Sequence, residues 1–144
     1  MPILSLIAAA QQPCAIPPSL IRFSRPSALR QGAAVEAGRA VRVPLTHDPK
    51  LGIKPEKMPA PGTHGRAFRL NVTQAGRYRV AVDAPIWIEL ARSGQVRVAS
   101  VAHGHAPPCS GVRKMVDFDL STGSYTVQLS GAAKPVATLL IARL

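Results

Sequence analysis

The amino-acid sequence predicts an all-β fold: an antiparallel β-sandwich, jelly-roll-like, of about eight strands behind an extended proline-rich N-terminal arm. Three observations predict it. Short segments alternate apolar and polar residues with period two. They are rich in β-branched types. Gly, Pro, Ser or Asp bounds each one. The chain has 144 residues, 47% of them apolar, enough for one domain with its own core.

Taken in order, residues 1–10 (MPILSLIAAA) join a short apolar run to small residues. This resembles the closing part of a secretory signal peptide, here without a charged start, as though truncated. Residues 11–38 read as an extended arm, since Pro13, Pro17, Pro18 and Pro26 oppose helix. At most one short helical turn fits within 29–40. The single sandwich domain spans 39–144.

RAVRVPL (39–45) sets Val41, Val43 and Leu45 on one face, as a strand does. THDPKLGIKPEKMPAPGTHG (46–65) is too rich in Pro and Gly for regular structure. A loop of this length is often functional. RAFRLNV (66–72) should bury Phe68, Leu70 and Val72, and GRYRVAV (76–82) should bury Tyr78, Val80 and Val82. PIWIELA, QVRVASV, VRKMVDFDL, SYTVQLS and PVATLLIA supply the other strands.

Lys and Arg number 18 against 7 Asp and Glu, a formal charge of +11. Arg66, Arg69, Arg77 and Arg79 fall at polar positions of strands, which is the pattern of a solvated sheet face. Basic residues form no block, and aromatics are only 4%. Nucleic-acid binding is therefore not expected, since it would call for clustered charge or stacking platforms. No partner is identified by this pattern, and weak attraction to anionic components of the cell envelope is the one kind it leaves open. No segment is long enough for a transmembrane helix.

The chain has two cysteines, Cys14 and Cys109. In an exported protein an even count points to a disulfide. The expected location is periplasmic or secreted.

One pattern recurs. FRLNVTQAGRYRVAV and FDLSTGSYTVQL both run strand, turn, Gly-x-Tyr-x-Val, strand, with Gly76 and Tyr78 answering to Gly123 and Tyr125. The glycines suit a tight hairpin, and each tyrosine can reach backbone at the rim with its hydroxyl. These hairpins resemble those of bacterial pre-peptidase C-terminal domains and related jelly-roll modules, a resemblance that implies fold alone.

HGHAPPCSG (103–111) is the stretch closest to chemistry, and it reads as a loop. Residues two apart on an extended chain point the same way, so His103 and His105 suit one Zn, Cu or Fe ion. A third ligand is needed. Cys109 is lost to it if bridged to Cys14, which leaves Glu89 as first choice, then His64 and His47. The cupin pattern is matched only in its His-x-His, because Cys109 stands where the glutamate belongs. No Gly-x-Ser-x-Gly elbow or phosphate-binding glycine loop occurs. Asp117 and Asp119 share a strand face and should pair with Arg or Lys. Trp87 is a candidate ligand-stacking residue with Glu89 on its face two positions on.

WIEL, VAHGHAPPCSGVRKMVDFDL and SYTVQL also resemble a group of short exported alphaproteobacterial proteins, many of them labelled homogentisate 1,2-dioxygenase. The resemblance implies an exported protein in which the cysteines and the HGH loop are shared features. The labelled activity would need iron, for which His103, His105 and Glu89 are the nearest set here. Dioxygenases of that name are several times longer, with a cupin fold and two histidines and a glutamate on iron. The full set has no counterpart in this sequence, so the label is unsupported by it. The sequence favours a non-enzymatic exported β-sandwich with a binding or scaffolding role in the cell envelope and no cofactor. A metal-binding protein built on His103 and His105 is the alternative.

Overall fold

The computed structural model describes residues 14–92 and 96–144. The signal-like segment 1–10 and the first residues of the arm lie outside these. Among the described residues eleven strands build two facing, mostly antiparallel sheets. They are β1 (Ser27–Ala28), β2 (Ala40–Pro44), β3 (Thr46–His47), β4 (His64–Val72), β5 (Gly76–Val82), β6 (Trp87–Arg92), β7 (Val96–Arg97), β8 (Ala102–Gly104), β9 (Lys114–Leu120), β10 (Gly123–Ala132) and β11 (Val136–Arg143). One sheet has the order β1-β2-β11-β5-β9-β8 and the other β3-β4-β10-β6-β7.

The pairings nest. β2 pairs with β11, β4 with β10, β5 with β9 and β6 with β7. One long antiparallel ribbon is thus folded over itself so that successive pairs fall in alternate sheets, which is the jelly-roll arrangement. The core forms where alternate residues of both sheets face inward, and it includes Val43, Leu70, Val80, Leu90, Phe118, Val127 and Leu139. Phe68, Leu70, Val72, Tyr78, Val80 and Val82 are all buried as the alternation required.

The recurrent Gly-x-Tyr pattern marks two corners rather than two hairpins. β4 and β5 belong to opposite sheets, as do β9 and β10, so each turn carries the chain across the sandwich. The Tyr78 hydroxyl donates to the Gln74 carbonyl at 2.5 Å, and the Tyr125 hydroxyl donates to the Ser121 carbonyl at 2.9 Å. Each ring fills core while its hydroxyl satisfies a corner carbonyl four residues back. The glycines differ. Gly123 has φ +145, whereas Gly76 has no positive φ and instead lies under the Arg143 guanidinium, which a Cβ would meet at 2.7 Å.

The expected extended arm is a folded strap. A 3-10 turn, Pro18–Ser24, buries Leu20 and Phe23. They pack on the outer face of the six-stranded sheet, where Ala40, Ala81 and Ala142 leave room, beside Met115 and Leu140. The prolines excluded α-helix but permitted this tighter turn, because Pro at N1 costs no hydrogen bond. Beyond it β1 runs parallel to β2, and Val35 enters the main core with a bridge to Leu70. No helical turn forms between 29 and 40. The Cys14–Cys109 disulfide, with Cα atoms 5.9 Å apart, ties the start of the strap to the loop before β9.

QVRVASV does not form one strand. β7 takes only Val96 and Arg97, and β8 starts at Ala102. The chain leaves one sheet here and joins the other, so a continuous strand is impossible. The segment 46–65, expected to lack regular structure, does so only over 48–63; its two ends pair with each other, Thr46 with Gly65 and His47 with His64, because the loop returns to the strand beside its start.

Candidate functional site

The site is built on the outer face of β6 and β10. Ile88 and Leu90 point into the core, so Trp87 and Glu89 project outward beside Gln128 and Ser130 of β10. The long loop folds back over this face. Gln128 Oε1 accepts from the Ile53 amide at 2.9 Å, and Gln128 Nε2 donates to the Ile53 carbonyl at 2.7 Å. This reciprocal pair is fully buried and pins the middle of the loop.

Glu89 is the second anchor. Its Oε1 accepts from the Trp87 indole at 2.8 Å and from the Glu56 amide at 3.1 Å. Its Oε2 lies 3.0 Å from Arg97 Nη2 as an ion pair, without an aligned hydrogen bond. Arg97 also donates to the Lys54 carbonyl. One carboxylate therefore fixes the indole's orientation, the loop and the end of β7. It is 4% exposed, and burial strengthens each of these interactions.

A cavity of about 310 Å³ opens at this edge of the sandwich, lined by Trp87, Glu89, Arg97, Ser100, His103 and Lys114. A second, of about 380 Å³, shares Trp87 and Lys114 and adds Lys57. Trp87 and Lys114 thus form the wall between two hollows. Lys114 Nζ lies 5.0 Å from the Trp87 ring centre and Lys57 Nζ 5.9 Å. Both are within cation–π range. The Lys114 ammonium donates to the Ile86 carbonyl at 2.9 Å. Burial, and secondarily repulsion from Lys57, holds its pKa below the usual lysine value. Neither lysine forms an ion pair among the described residues.

The histidines of HGH are separated by role. His103 lies on β8 opposite Val116, lines the first cavity, and has Nε2 3.0 Å from Ser100 Oγ. His105 follows the strand, and its Nδ1 is 3.1 Å from the Arg113 carbonyl, which makes that nitrogen the protonated one. The expected loop is therefore part strand. Cys109 is in the disulfide and is not a thiolate. Among the described residues no three His, Cys, Asp or Glu side chains form a group able to hold a metal ion. Glu89 shares the cavity with His103, but its oxygens face Trp87, Glu56 and Arg97. To ligate a metal it would have to abandon them.

Asp117 and Asp119 pair across strands, with Arg79 and Arg77 respectively, at 2.9 Å each. They belong to the outer face of the other sheet. Sequence reasoning singled out Trp87 and Glu89 but missed Lys57, Lys114, Arg97 and Gln128. Gln128 was the most accessible of these, as an uncharged polar residue among the β-branched and apolar residues of SYTVQLS.

No helix among the described residues is long and apolar enough to cross a membrane. The chain matches no family model, no curated protein and no solved structure.

Proposed function

We propose that this chain is an exported, non-enzymatic binding module of the cell envelope, and that the hollows on either side of Trp87 seat an anionic ligand. One observation carries the reading: two ammonium groups, Lys57 and Lys114, converge on a fixed indole, and neither forms an ion pair among the described residues. A ligand carboxylate or phosphate would relieve their repulsion and the burial of Lys114. The indole offers an apolar platform beside it, already oriented by Glu89, so little ordering is needed on binding. The disulfide and the strap it anchors support an oxidising compartment outside the cytosol.

Trp87 is the only tryptophan, so its fluorescence reports on this cleft directly. Polygalacturonate, an acidic polysaccharide, is titrated into the protein, with neutral dextran as the comparison. The expected result is a saturable change in emission with the acidic polymer, suppressed by added salt and by Lys57→Ala with Lys114→Ala. An equal response to dextran, or an unchanged response in the double variant, refutes the anionic reading.

A further inference from the structure

We infer a transition-metal site at the neck of the long loop, formed by His47 and His64, that takes one divalent ion of the zinc–copper class. It is independent of the Trp87 cleft. His47 on β3 and His64 on β4 stand directly opposite each other in the antiparallel register. Such a pair has Cβ atoms about 5 Å apart, close enough for both imidazoles to reach one ion. Their ring centres are 5.3 Å apart and their planes are inclined at 72°. Two imidazoles bound tetrahedrally at about 2.0–2.1 Å would put their ring centres about 5 Å apart, which is close to the observed spacing.

His47 Nδ1 lies 3.0 Å from Asp48 Oδ2, and a hydrogen bond donated from Nδ1–H to that carboxylate would leave Nε2 with its lone pair. A carboxylate behind a histidine raises its basicity and fixes its ring, the usual support for a metal ligand. His64 Nδ1 is buried and has no hydrogen-bond partner among the described residues. A buried imidazole nitrogen without a partner is costly, and coordination would satisfy it. A hollow of about 230 Å³, lined by His64, Asp48, Thr63 and Ser130 but not by His47, has space for water beside His64. The protein thus supplies two ligands, one fewer than the three of an open zinc site, and water or an exogenous group would supply the others.

The position has a consequence. The Asp48 amide bonds the Thr63 carbonyl at 3.3 Å, closing the base of the loop that carries Glu56 and Lys57 to the cleft. An ion on His47 and His64 would clamp that base.

The test is an NMR titration of tag-free wild-type protein with Zn²⁺, reading the imidazole nitrogens of all four histidines. His47 and His64 are expected to shift together and saturate at one equivalent, while His103 and His105 stay in place. Asp48→Asn should weaken binding about tenfold or more. His47→Ala should abolish it. Shifts at His103 and His105 instead, or no histidine shift up to millimolar Zn²⁺, would overturn the site. Because the decisive reading is on the wild type, a variant that fails to fold cannot decide the outcome.

Discussion

Replacing Cys14 and Cys109 together by serine should remove about 4–5 kcal/mol of stability. The bridge joins residues 95 apart in sequence. Loop-closure entropy for a span near 100 residues is about 4.7 kcal/mol at 25 °C. The native side loses little, because Leu20 and Phe23 hold the strap by their own burial at 1% and 5% exposure. The effect therefore comes from freeing the unfolded chain. For a domain of this size each kcal/mol moves the melting temperature by roughly 3–4 °C, so the drop should be about 15 °C. Thermal melting by circular dichroism measures it, and urea unfolding adds a second reading. The m-value should rise, since the unbridged unfolded chain exposes more surface. A drop under about 4 °C with an unchanged m-value would refute the reasoning, because the bridge would then not constrain the unfolded state.

The two cross-strand pairs should respond unequally. Arg79→Ala strands the nearly buried Asp117 carboxylate and should cost about 2–3 kcal/mol, whereas Arg77→Ala, at a fully exposed pair, should leave the urea midpoint near wild type at neutral pH. The hydrogen bond from Arg77 holds the Asp119 carboxyl below its ordinary value of 3.8. Its stabilisation is complete above that value and is lost as pH falls through the depressed one, so Arg77→Ala should flatten the acid limb of stability measured from pH 5 down to about 2. Gly65→Ala should cost about 3 kcal/mol or more in urea unfolding, since its Cβ would run into the Leu129 carbonyl and stand 3.2 Å from Ser130 Cα. Gly131→Ala, with open space but φ +75, should cost only about 1–2 kcal/mol. Lys114 should titrate below the ordinary lysine value by NMR, and Lys57→Ala should raise it partway. Because burial penalises its charged form, stability should rise with pH from its depressed pKa up to about 10.5.

The period-two rows were legible because burial on one sheet face is a local property of alternate residues. Phe68, Leu70 and Val72 needed nothing but their own spacing to be assigned to the core. Leu20 and Phe23 carried no such signal. They are apolar residues in a proline-rich stretch, and they become buried only because three alanines on β2, β5 and β11 leave a shallow seat in the folded sheet. Trp87 and Glu89 were readable as neighbours on one face. Lys57 and Lys114, 57 residues apart in sequence, meet at the indole only after the long loop folds back.

By itself, then, the sequence determined the all-β class, most strand positions and inward residues, the outward pairing of Asp117 and Asp119, and the candidate pair Cys14 and Cys109. These follow from alternation, turn chemistry and cysteine count, which act over a few residues or over the whole composition. The tertiary structure alone decided that the two Gly-x-Tyr turns cross between sheets. It also decided that Glu89 is consumed by Trp87, Glu56 and Arg97, that His103 and His105 face different partners, and that His47 meets His64. Those outcomes depend on which strand lies beside which, and strand order is set by nested long-range pairing that no local pattern encodes.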